Sequence, residues 1–339
     1  MIRTCFFGVA FGCLALLLTG AAAPLPAQAQ VELTYNTFFP VTHAHTVAAN
    51  EWIKEIEKRT NGAVKITMFA GGTLSPPDQT YAGVMKGVSD IGMGVAAYNK
   101  GRFPLTEVLE MPLGHKNGVQ MTKLMNEFYK KFQPKEWGDT KVMYIHGYGP
   151  GQLHTKKPVR NLDDLKGLKI RCTGTSAKIV KALGALPVAM PQTEVYDALD
   201  KGVADGLLSP PEVLKGWRFA EVTKSTTISK GAGYSMTFWV AMNKKKWESL
   251  PEKDRAAIEQ INQEWIEKTG QAWDMMDAEG TEFAKSKGHQ CIELSAEEDL
   301  KWGKLVLPIR DEYVAEMKQK GLPGDEALKF CLDWLSKNP

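Results

Sequence analysis

Cysteine is scarce in this chain, five in 339 residues, and the five are badly placed for a staple: Cys5 and Cys13 sit in an apolar N-terminal run, while Cys172, Cys291 and Cys331 lie far apart. A small disulfide-stapled scaffold is thereby excluded, and only the pairing of Cys291 with Cys331 stays open. A membrane-spanning run is missing as well. The longest apolar stretch, Cys5 to Leu18, falls short of the roughly 20 residues a spanning helix needs. Neither sign of charge dominates: 42 Lys and Arg stand against 39 Asp and Glu, for a net +3, which offers no footprint for nucleic acid or an anionic membrane. Enzyme signatures are absent too, with no G-x-S-x-G elbow, phosphate loop, C-x-x-C or H-E-x-x-H.

What is present begins with an address. Arg3 precedes the apolar run, small residues follow, and Ala27-Gln28-Ala29 has the A-x-A form of a cleavage site. Residues 1–29 read as a secretory signal peptide, so the mature chain is exported. The remaining length permits two ordinary domains.

From Val31 strands alternate with helices: "VELTYNTFF" and "AVKITMFA" predict strands around the helical "HTVAANEWIKEIEKRTNG". The layering is α/β. Ser75, Ser209, Ser249 and Ser295 each stand three residues before an acid and are expected to cap helices. A repeat carries more weight. "YAGVMKGVSDIG" from Tyr81 and "YDALDKGVADGL" from Tyr196 share Tyr, Lys-Gly-Val and Asp at identical spacing, each reading as a helix stopped by glycine before a strand. Two similarly built lobes with a cleft between them follow. After Trp239-Val240 the pattern turns helical, and "DRAAIEQINQEWIEKTGQAWDMMDAEGTEFAKSKG" is long enough to run along both lobes. "DEALKFCLDWLSK" predicts an amphipathic tail helix packed back on a lobe.

Few residues offer chemistry. The strand "GLKIRCTGT" buries Leu168, Ile170 and Cys172 on one face and ends on Arg171 with small residues behind it. "GYGPG", Gly147 to Gly151, reads as a crossing between lobes. "HAH", His43 to His45, offers two metal ligands and no third, so a helix start or a pocket edge is the plainer reading. Trp52, Trp265 and Trp273 fall at helical spacing and are expected in the core; Trp239 and Phe238 stand at the second crossing.

At "NLDDLKGLKIRCTGT" and "LPVAMPQTEVYDALDKGVADG" the chain resembles the solute-binding proteins of tripartite ATP-independent periplasmic (TRAP) transporters, with "LKGLKIR", "EVYDAL" and "GVADG" in that family's order. The resemblance runs from about Val31 to the last helix. It implies a two-lobed periplasmic binding protein fold with a long lobe-spanning helix, lobe I taking residues 31–150 and 240–280 and lobe II residues 151–239 and 281–339. It also implies a small organic anion held in the cleft by Arg171, whose planar fork suits two carboxylate oxygens. Read from the residues alone, a structural salt bridge to a nearby acid is the preferred account of Arg171.

Other pocket positions follow from the same resemblance. Gln192 would face the ligand or act as a turn residue, and Ser209 would donate to the ligand or cap a helix. Phe38, Phe39, Tyr98 and Trp239 would line the cleft or fill the core. Where some acid-sugar binders of the family carry a second arginine, this chain has Gly151 with Gln152 and His154 nearby; where they carry a glutamate, it has Val95. The pocket is therefore expected to be less polar, suited to an aromatic or short-chain oxo acid, or to a sulfonate. The implied partners are the small and large membrane subunits of the transporter in the bacterial envelope. No cofactor, metal or nucleic acid is expected, and the protein is expected to be a monomer that binds without catalysing. The rival readings are a binding protein of an ATP-driven importer or sensor, and an exported hydrolase or isomerase with a base and nucleophile in the cleft.

Overall fold

A computed structural model describes residues 1–2 and 30–339, so the expected leader, its first two residues aside, lies outside the described residues. In chain order β1 (Val31–Thr37), β2 (Val64–Phe69), β3 (Ile91–Val95) and β4 (Thr140–His146) come first. β5 (Gln152–Thr155), β6 (Lys169–Cys172), β7 (Leu186–Ala189), β8 (Gly206–Ser209) and β9 (Ser225–Ile228) follow, then β10 (Phe238–Asn243) and β11 (Gln290–Glu293). Two sheets result, ordered β2-β1-β3-β10-β4 and β11-β9-β5-β8-β6-β7.

The sheets repeat one plan. β2, β1 and β3 are parallel with β10 antiparallel beside β3, and β7, β6 and β8 are parallel with β5 antiparallel beside β8. In each, the antiparallel strand is the one that has just crossed from the other sheet. The helices that lead into β3 and β8, Thr80–Lys86 and Val195–Asp200, are the two copies of the sequence repeat, and Gly87 and Gly202 take up φ of +77° and +75° at and just past their ends. The two crossings run side by side. Gly151 N–H donates to the Tyr234 carbonyl at 2.8 Å, and Ser235 Oγ to the Tyr148 carbonyl at 3.0 Å.

Of the four serines expected to cap helices, only Ser295 does, accepting from Glu298 N at 3.2 Å. Prolines explain the others. A residue before proline is held extended, so each Ser-Pro-Pro pushes the helix start downstream: Thr80 and Val213 open the helices, while Ser75 accepts from Asn36 Nδ2 and Ser209 ends β8. Leu250 is extended ahead of Pro251 in the same way, and Ser249 turns its hydroxyl back to the Lys246 carbonyl.

The long helix is continuous from Glu252 to Ser286. Its Asn262 accepts from Trp52 Nε1 in the first half at 3.1 Å, and its Asp277 from the backbone of Glu212 in the second at 3.0 Å. The tail helix Gly324–Lys337 buries Ala327, Cys331 and Leu335, spaced i, i+4, i+8, and packs on the helix Gly118–Phe132 of the first half rather than on the second, to which the sequence reading had assigned it. Cys172, Cys291 and Cys331 are free thiols, so the pairing left open is not formed.

Candidate functional site

Between the halves lies a cavity of about 330 Å³, its mouth included. Strand ends and the turns just beyond them supply most of its lining. Phe38 and Phe39 follow β1, Tyr98 closes the turn after β3, Arg171 comes from β6, Ser209 ends β8 and Phe238 opens β10.

Arg171 is 2 % exposed, and its Nε and Nη2 donate to the Met190 carbonyl at 3.1 and 2.9 Å. One edge of the fork is thus locked, and the Nη1 edge remains for a guest. Among the described residues no carboxylate comes within ion-pair distance of it, which removes the structural salt bridge as an explanation. An ionised group this deeply buried needs a counter-charge, because the desolvation penalty amounts to several kcal/mol.

Gln192, also buried, donates its backbone N–H to Tyr98 Oη at 3.1 Å, a contact from one half to the other. Phe38 lies over Trp217 with ring centroids 6.4 Å apart, and Phe39 stacks on His43 at 4.1 Å. Together with Phe238 and Trp273 they give the cavity aromatic walls.

Two expected residues lie elsewhere. Trp239 is fully buried on the far side of β10, edge-on to Tyr81 at 5.3 Å; neighbours in a strand face opposite ways, so it is Phe238 that meets the cavity. His154 sits behind the site. Its Nε2 donates to the Ser209 carbonyl at 3.1 Å, and its Nδ1 pairs with Thr226 Oγ1 at 2.9 Å, which in turn meets His289 Nε2 at 3.0 Å. Burial pulls the His154 imidazole down to about 3, leaving it neutral.

Several lining residues were missed or misread, Tyr148 and Met236 among them. Glu212 passed as the acid of a supposed helix cap, and Trp217 carried no signal. Trp273 was assigned to the core from its spacing; it is 1 % exposed yet forms part of the wall, fixed by its Nε1 donating to His146 Nδ1 at 2.9 Å. The "HAH" histidines do start a helix, and His43 does more: its Nε2 lies 2.6 Å from Glu212 Oε1, spanning the halves. Among the described residues no cluster of three or more His, Cys, Asp or Glu could hold a metal. Nearby, buried Glu110 accepts from Thr237 N at 3.1 Å, and burial pushes its carboxyl up to about 8.

A family model described as bacterial extracellular solute-binding protein, family 7, matches residues 35–317. The C4-dicarboxylate-binding periplasmic protein of Rhodobacter capsulatus is 30 % identical over 76 % of this chain and 78 % of its own length. A TRAP periplasmic solute-binding protein from Desulfovibrio salexigens superposes with a TM-score of 0.80 at 35 % identity, covering 91 % of this chain and 97 % of that one. A TRAP solute-binding protein from Rhodoferax ferrireducens, in complex with copurified benzoate, superposes at 0.85 with 28 % identity, covering 91 % and 98 %.

Proposed function

Because the chain belongs to family 7 of the bacterial extracellular solute-binding proteins, the TRAP type, we propose that it captures an aromatic monocarboxylate between its halves and delivers it to a transporter's membrane subunits. The observation that carries this reading is Arg171: a buried guanidinium with no acidic partner among the described residues, in a cavity walled by aromatic rings. The guanidinium anchors the carboxylate through its free edge, and the rings cover the apolar remainder. The benzoate held by the Rhodoferax protein supports the class. A dicarboxylate suits the site less well, since Arg171 is the one cation among the lining residues and Glu212 would repel a second carboxylate.

Capture involves no chemistry. The ligand bridges contacts from both halves and favours the closed arrangement to the extent that it binds that form better, with the crossings at Gly147–Gly151 and before Phe238 bending. The protein works in the periplasm after cleavage at Ala29, as a monomer and without cofactor, and the closed surface is what the small and large membrane subunits recognise.

Thermal shift and calorimetry on residues 30–339 test this with benzoate, phenylacetate, benzenesulfonate, succinate and glucuronate. An aromatic acid at about 100 times its Kd adds about 2.7 kcal/mol, a shift of a few degrees, and Arg171→Ala abolishes it. Binding of succinate or glucuronate in preference to every aromatic anion would overturn the proposal.

A further inference from the structure

We infer that Glu212 is a second polar anchor in the cavity and selects aromatic acids bearing a hydroxyl or amino donor. The inference rests on the aromatic-acid reading above. Glu212 is 3 % exposed and lines the cavity. His43 Nδ1 accepts from His45 N at 3.2 Å, so the ring proton sits on Nε2 and the imidazole donates to Glu212 Oε1 at 2.6 Å. The other oxygen, Oε2, has no hydrogen-bond partner among the described residues.

The surroundings hold this carboxylate in place. Its backbone N–H donates to Asp277 Oδ1, whose carboxyl burial raises well above the usual range. Gly216 leaves the room required: a Cβ there would lie 2.1 Å from Glu212 Oε1 and 2.9 Å from His43 Nε2. A carboxylate only accepts hydrogen bonds, and a buried oxygen left without a donor costs stability in the complex. The carboxylate of the ligand cannot fill that place. An O–H or N–H on the ring can, whereas a ring substituent without a proton leaves Oε2 unmet, which is how a hydrogen-bonding site rejects an analogue of nearly equal size.

Calorimetry with the hydroxy-, amino- and fluorobenzoates, each as 2-, 3- and 4-isomers, separates these cases. At least one hydroxy or amino isomer is expected to bind roughly ten-fold or more tightly than the fluoro isomer of the same position. Glu212→Gln, which keeps an acceptor for His43 but turns an amide NH₂ toward the guest, should collapse that ratio to about three-fold or less while benzoate still binds. Gly216→Ala, which displaces the carboxylate without removing it, should lower the ratio in the same direction and guards against a Gln variant that fails to fold. Equal binding of hydroxy and fluoro isomers, or a ratio unchanged in Glu212→Gln, overturns this inference and leaves the aromatic-acid reading standing. If no aromatic acid binds, both fall together.

Discussion

Asp90 and Asp205 occupy the same place in the two sheets. Asp90 Oδ2 accepts from the backbone N–H of Thr34 in β1 at 2.9 Å, and Asp205 Oδ2 from that of Lys169 in β6 at 2.9 Å. Their carbonyls also correspond, accepting from Asn243 N at the end of β10 and from Lys156 N just past β5. The aspartate that closes each copy of the sequence repeat therefore ties the third parallel strand to the first and receives the strand that crosses over.

The two aspartates differ in depth, and their removal should show it. Asp90 is 9 % exposed and also binds Thr34 Oγ1, whereas Asp205 is half-buried. Asp90→Ala orphans a half-buried N–H and the Thr34 hydroxyl and should cost about 1–3 kcal/mol in urea unfolding, with Asp205→Ala near the lower end. Equal losses would mean that the side-chain bonds, and not their burial, set the cost.

Repetition made the fold legible, because two helix-to-strand units with the same turn chemistry demand two similar sheets. The strand pattern marked Arg171 as a charge at a strand end with small residues behind it, but only the family resemblance pointed it at a ligand. Trp239 and Phe238 could not be told apart, since an adjacent pair in a buried strand gives no clue to which face meets the cavity. The His43–Glu212 contact was invisible for another reason: its partners are 169 positions apart, and Glu212 looked like part of a helix start. Proline misled in the same region by moving the helix beyond Ser209.

Phe238 and Trp239 provide a paired test of which face binds. Phe238→Ala removes a wall of the cavity and should weaken ligand binding about ten-fold or more with a modest loss of stability. Trp239→Phe should cost about 1–3 kcal/mol of stability and leave affinity within a few-fold, because its ring fills space over Gly92 and Gly94 and touches no guest. The same packing makes Gly94→Ala destabilising, as its Cβ would lie 2.5 Å from the Trp239 ring. Calorimetric affinity set against unfolding free energy checks all three.

Two sets of buried groups should tilt the stability–pH curve in opposite directions. Burial pulls His115 down to about 4 and His146 and His154 to about 3, so the folded protein keeps them neutral. Their contribution is present above about 6.5 and lost as pH falls through those values. Glu110 has the opposite sign. Burial lifts it to about 8 against the pull of the Thr237 and Thr175 N–H groups, so its contribution is full below about 4.5 and lost as pH rises through 8. Glu110→Gln should remove the fall in stability between about pH 4.5 and 8 and leave the curve below about 4.5 unchanged. A slope in that window identical to that of the parent protein would show that burial does not lift the Glu110 carboxyl.

Arg171→Lys distinguishes the geometry of the anchor from its charge. The guanidinium spends Nε and Nη2 on the Met190 carbonyl and still has a second edge, so one planar group serves the protein and the guest together. An ammonium cannot satisfy both in fixed directions; turned to the ligand it leaves Met190 unpaired, and turned to Met190 it leaves the carboxylate one bond short. If the site needed only a positive charge, Lys would bind nearly as well as Arg, with the deficit falling as salt screens both alike. The bidentate reading instead expects a loss of about ten- to a hundred-fold that persists at high salt, as for a charge-assisted hydrogen bond worth roughly 1.5–3 kcal/mol. Titrating the same aromatic acid into both proteins at low and at high ionic strength decides between the two.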